Sequence, residues 1–128
     1  MREKYVKIYL YFKLKGYFMI ETSSFTGEDF LVVKQFENWK IGFLRFSKRF
    51  SVFDRLERHM LTDEAFILLE GQATLYTDTE SVVMQKNIVY NIPKAEWHHI
   101  VVSKDATVMV VENSSTCEEN TQIKFIQE

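Results

Sequence analysis

Between residues 30 and 112 the chain repeats one pattern, a short run of β-branched and aromatic residues followed by a polar turn. Residues 30–36, 39–46, 64–69, 73–77, 81–85, 88–92, 97–103 and 107–112 read as strands, and 50–60 supplies a further stretch. Asn38, Asp78-Thr79-Glu80, Lys86-Asn87 and residues 93–96 carry the turn chemistry between them. The turn Glu70-Gly71-Gln72 predicts a hairpin joining 64–69 to 73–77. Turns recurring every six to ten residues leave no room for βαβ units, so the pattern predicts an all-β sandwich or barrel.

A chain of 128 residues supports one core and not two. Eleven Phe and six Tyr fit pleated, half-buried surfaces, and 46% hydrophobic residues argue against disorder. The net charge of −2 argues against a nucleic-acid surface. That charge is uneven, however. Residues 1–18 hold Arg2, Lys4, Lys7, Lys13 and Lys15 against Glu3, a balance of +4 that leaves −6 for residues 19–128. We read 1–18 as an N-terminal extension or an extra strand over 5–12, with Met19 an alternative start, and 19–128 as the single domain. No apolar run approaches the roughly 20 residues that span a bilayer, and the N-terminus has no signal-peptide core. One cysteine, Cys117, in a polar stretch over 113–120, fits a reducing cytoplasm. Residues 122–126 can return as an edge strand.

Two stretches depart from ordinary core sequence: residues 57–71, E-R-H-M-L-T-D-E-A-F-I-L-L-E-G, and residues 93–99, P-K-A-E-W-H-H. Glu57 and His59 are two apart and share one side of a strand. Glu64 follows a bend at Thr62-Asp63, and His98 opens a strand after a proline loop. Imidazoles and carboxylates converging from separate strands hold a divalent metal or transfer protons. The alternative is a hydrogen-bonded polar interior without metal. His99, next to His98 on a strand, is expected to face outward. Tyr90 is a candidate acid if its hydroxyl enters the pocket, with Trp97 a wall residue. Phe43, Phe66, Leu68 and Met109 are expected to be core or pocket lining.

His59, Glu64 and Gly71 resemble the first motif of the cupin superfamily, and Pro93 through His98 resemble the second. The resemblance implies an antiparallel double-sheet jelly-roll barrel with a metal held by Glu57, His59, Glu64 and His98. Glu57 stands where the family usually has its first His. Ser51, Asn87 and Ala95 stand where it has Gly. Two imidazoles and two carboxylates balance a divalent cation, and the oxygen donors favour manganese or iron(II), with zinc allowed. The expected function is binding or converting a small molecule in a metal-binding cytoplasmic homodimer, with catalytic residues unknown beyond the candidates Tyr90 and His98. One alternative is a non-catalytic module for a sugar or organic acid. Another is a metal-free sugar-nucleotide isomerase or epimerase with His59 or His98 as base and Tyr90 as acid. Asp54-Arg55-Leu56-Glu57-Arg58, with Lys48 and Arg49 just upstream, mixes both signs and reads as solvated surface or as an entrance attracting an anionic substrate.

Overall fold

Consecutive strands alternate between two sheets, and that alternation sets the two sequence motifs face to face. The structure, a computed structural model, describes residues 5–6 and 20–127. Its strands are β1 (Tyr5–Val6), β2 (Thr22–Ser23), β3 (Asp29–Phe36), β4 (Trp39–Arg45), β5 (Arg55–His59) and β6 (Glu64–Glu70). They continue with β7 (Ala73–Thr77), β8 (Ser81–Val83), β9 (Val89–Ile92), β10 (His98–Val102), β11 (Thr107–Asn113) and β12 (Thr121–Phe125). One sheet runs β3-β4-β11-β6-β9 and the other β12-β5-β10-β7-β8, with β1 and β2 forming a separate antiparallel pair. Beyond β4, only β7 and β8 follow one another within the same sheet. This is an antiparallel jelly roll, as the turn spacing predicts.

Leu44, Phe50, Phe66, Leu68, Leu75, Met84, Ile92, Ile100, Val102, Val108 and Val110 fill the space between the sheets. On β11 burial alternates strictly, with Val108, Val110 and Glu112 inward and Met109 and Val111 half-buried on the other side. The core is apolar at one end of the barrel and charged at the other.

Two expectations need correction. Glu70-Gly71-Gln72 does not close a hairpin, because β6 pairs with β11 and β9 while β7 pairs with β10 and β8. The turn is a corner between sheets. Gly71 takes φ +75° there, and a Cβ on it would come within 2.6 Å of the Ala106 Cα. Phe43 and Met109 are paired neighbours on the outer face, not core, since the inward positions of β4 are Lys40, Gly42 and Leu44. A Cβ at Gly42 would run into the Phe30 ring, which fills that gap. The β5–β10 ladder holds only at Glu57↔His98, and residues 50–54 precede β5, with the Val52 carbonyl beside His99 of β10. Of the extra strand proposed over 5–12, Tyr5 and Val6 pair with Ser23 and Thr22; the rest of 1–18 lies outside the described residues. The edge strand expected over 122–126 is β12, paired to β5.

Candidate functional site

The charged end of the barrel is built from strand termini. His59 ends β5, Glu64 opens β6 and His98 opens β10. The loops carrying them are laced together. Asp63 accepts from the Lys94 backbone N–H at 2.8 Å and from the Asn91 side-chain amide at 3.1 Å. The Ala95 N–H donates to the His59 carbonyl at 2.8 Å. These bonds hold the Asp63 carboxyl below its ordinary range, chiefly through Asn91 and then the Lys94 amide.

The result is a convergence on one oxygen. His59 Nε2 and His98 Nε2 each lie 3.0 Å from Glu64 Oε1, and the two rings are 5.4 Å apart between centroids. Ligand atoms of His59, Glu64 and His98 all fall within 4.8 Å of one another. Both Nδ1 atoms are already committed. His98 Nδ1 lies 3.0 Å from the Glu96 carbonyl, which can only accept, so it carries a proton. His59 Nδ1 lies 2.9 Å from Thr121 Oγ1, and that hydroxyl donates its own proton to the Cys117 carbonyl at 2.8 Å. His59 Nδ1 is therefore a donor as well. The Nε2 atoms are the ones able to release a proton and coordinate, and they flank a carboxylate oxygen. Two imidazole nitrogens and a carboxylate so arranged need a cation between them, either protons or a divalent metal.

Burial alone would raise Glu64, but hydrogen bonds and charge from His59 and His98 outweigh it and hold the carboxyl well below its usual range. For His98 the burial effect, which lowers, is overcome by the hydrogen bond and charge of Glu64, so its affinity for a proton is raised.

The three side chains face a cavity of about 560 Å³. Glu57 borders it without joining the three-residue cluster. Glu112 borders it too, opposite Glu64 in the β11–β6 register, and its acid is pushed up to about 8 by burial first and by the Glu64 charge second. Lys40 reaches in from β4, donating to the Thr116 carbonyl at 2.8 Å and lying 3.9 Å from Glu112 Oε1. Phe30, Phe50 and Phe66 supply apolar wall. Arg49 also lines it, while its guanidinium lies over the Phe50 ring at 4.4 Å.

Tyr90 lies elsewhere. It borders a second hollow of about 320 Å³, and its hydroxyl accepts the Gln85 N–H at 2.8 Å. Trp97 takes no part in the cluster, its ring meeting the Arg58 guanidinium and the Lys124 ammonium, each 4.3 Å from the ring centroid. His99 alternates away from His98 but is only 2% exposed, with Nε2 3.1 Å from the Val52 carbonyl and Phe53 and Phe50 alongside. Burial lowers its affinity for a proton. Glu112 and Lys40 belong to no motif, and only their inward phase on β11 and β4 marks them in the sequence. The polar stretch over 113–120 is more than a surface loop, since Thr116, Cys117 and Glu118 border the cavity.

No family model matches the sequence, and no curated protein sequence does. Solved structures do match. A cupin-2 domain protein from Shewanella frigidimarina NCIMB 400 superposes with TM-score 0.57 at 20% identity, covering 88% of this chain and 98% of that one. This is a small cupin fold. Pac13, a nucleoside dehydratase from Streptomyces, gives TM-score 0.62 at 13% identity over 77% of this chain and 79% of its own. KdgF from Halomonas sp. gives 0.57 at 13%, over 66% and 77%. Against the cupin motifs, the missing glycines divide into two kinds. Asn87 and Ala95 take φ 67° and 66°, so the backbone there keeps the glycine conformation. Ser51 takes φ −98°, where glycine is not needed.

Proposed function

We propose that this cupin binds a divalent metal through His59, Glu64 and His98, with Glu57 beside them at the cavity wall, and binds or converts a small molecule in the adjoining space. The observation that carries it is the pair of Nε2 atoms aimed at one carboxylate oxygen, with both Nδ1 protons already placed. The donor set suits manganese, iron(II) or zinc. An ion held by these residues would supply Lewis acidity to a small molecule in the cavity. The chain's own part is to orient the two imidazoles, to supply Glu64 as the anionic ligand, and to keep Phe30, Phe50 and Phe66 against the ligand's apolar side.

A second reading follows from the same geometry, since protonated His59 and His98 satisfy Glu64 without metal. In that case the site is an acid–base pair or a plain binding pocket, as in a nucleoside- or sugar-directed cupin, with His98 as the titrating group and Tyr90 outside it. Metal analysis of protein purified without added metal separates the two. The first reading predicts near-stoichiometric manganese, iron or zinc, lost in His98→Ala. Metal-free protein whose melting temperature ignores all three ions overturns it. The reading also takes the protein as a homodimer, joined through the outer row Leu31, Phe43, Met109 and Ile67.

A further inference from the structure

Of the two candidate metal-binding histidines, one is fixed by backbone and the other by a side chain. The Glu96 carbonyl that holds His98 Nδ1 belongs to the main chain, two residues away. His59 Nδ1 depends instead on Thr121, its register partner on β12. The Thr121 hydroxyl is in turn set by the Cys117 carbonyl at 2.8 Å. That carbonyl sits in a braced turn. The Cys117 N–H donates to Asn120 Oδ1 at 3.0 Å, Asn120 Nδ2 donates to the Ser115 carbonyl at 2.8 Å, and the Met60 N–H donates to the Asn120 carbonyl at 2.9 Å. A polar loop that looks like a surface tail in the sequence thus ends as a fixed acceptor behind a metal-facing ring.

We propose that Thr121 is a positioning residue for the metal: accepting from Nδ1 while donating to Cys117, it holds the His59 ring in the one orientation and the one tautomer that turn Nε2 toward Glu64. The inference rests on the metal-binding reading above. A hydroxyl whose proton is already directed elsewhere can only accept from the ring, and that makes it a tautomer selector rather than a neutral neighbour. With Val at 121 the β-branched shape and the strand remain, but nothing receives the Nδ1 proton. The ring then turns or carries its proton on Nε2, and the metal must displace it.

The test is zinc affinity by competition with a chelating dye for wild type, Thr121→Val, Thr121→Ser and His98→Ala, joined to nitrogen-15 spectra of the neutral His59 ring in zinc-free protein at alkaline pH. Thr121→Val is expected to bind zinc roughly 10–100-fold more weakly and to move the His59 proton toward Nε2. Thr121→Ser is expected to restore both. Wild type that binds no zinc overturns the metal reading and this inference with it. Wild type that binds, with Thr121→Val equal to it and the tautomer unchanged, overturns this inference alone. A Thr121→Ser that fails to restore binding also overturns it, because the role is then packing. Should Thr121→Val melt below the working temperature, Thr121→Ala takes its place in the same series.

Discussion

Glu112 is a carboxylic acid that the fold keeps protonated near neutral pH, and the cause is local. Inward phase on β11 buries it, Glu64 lies opposite in the register, and Lys40 at 3.9 Å offsets only part of the cost. The folded chain holds this proton up to about pH 8, against 4.5 for an ordinary glutamate. Between those values the unfolded state has already released it, so Glu112 lowers stability as pH rises, by at most about 1.4 kcal/mol per pH unit. His98, whose proton affinity is raised by Glu64, acts in the same direction, its share being lost as pH passes its elevated value. Glu64 works in the opposite sense, and its contribution is complete above 4.5 and lost only in strong acid. In chelator-treated protein, Glu112→Gln is therefore expected to gain on wild type by roughly 1–3 kcal/mol from pH 5 to pH 8. Urea melts at the two pH values measure it, and parallel behaviour of the two proteins would contradict it. Ala95 gives a second test. An L-residue at φ 66° carries about 1–2 kcal/mol of steric cost that glycine lacks. Ala95→Gly is expected to raise stability by roughly 0.5–1 kcal/mol after the greater freedom of unfolded glycine is subtracted, read as a shift in urea midpoint without change in slope.

At the level of elements, the loops show what the sequence disclosed and what it hid. Period-two alternation and turn residues placed the strands within a few positions, because each strand really is half core and half surface. The same alternation misled on β4. Lys40 and Gly42 look like an outward face and Phe43 like an inward one, yet the barrel's charged end is its interior there and the phases are exchanged. His59, Glu64 and His98 were legible because motif spacing survives substitution of the glycines around them. Glu112, Lys40 and Thr121 were not, since no short spacing links strands that meet only through the closed barrel. A positive-φ glycine between strands serves a sheet-to-sheet corner as well as a hairpin, so Gly71 alone does not choose between them. Gly71→Ala combines a left-handed alanine with a Cβ 2.6 Å from the Ala106 Cα. It is expected to cost roughly 2–4 kcal/mol, checked by thermal and urea denaturation. An unchanged melting temperature would mean the corner is not as tight as described.

Over the whole molecule, two sheets divide the labour. Both contribute to the site, β5, β10 and β12 from one and β4, β6 and β11 from the other, so the cavity exists only when the barrel is closed. The outer face of the β3-β4-β11-β6-β9 sheet carries Leu31, Phe43, Met109 and Ile67 in one registered row, continued by exposed Val89. The homodimer proposed above would use this row. If that proposal holds, wild type is dimeric and Phe43→Glu monomeric in light scattering, with metal content unchanged. A wild type that is already monomeric at tens of micromolar would contradict the dimer. No helix among the described residues is long and apolar enough to cross a membrane.

The central claim is that His59, Glu64 and His98 together hold a divalent ion. Anomalous diffraction at the zinc edge, from crystals grown with zinc, tests it most directly. The account predicts one strong peak about 2.0–2.2 Å from His59 Nε2, His98 Nε2 and a Glu64 carboxylate oxygen. A cavity without that peak, in crystals whose zinc sits elsewhere on the surface, would contradict it.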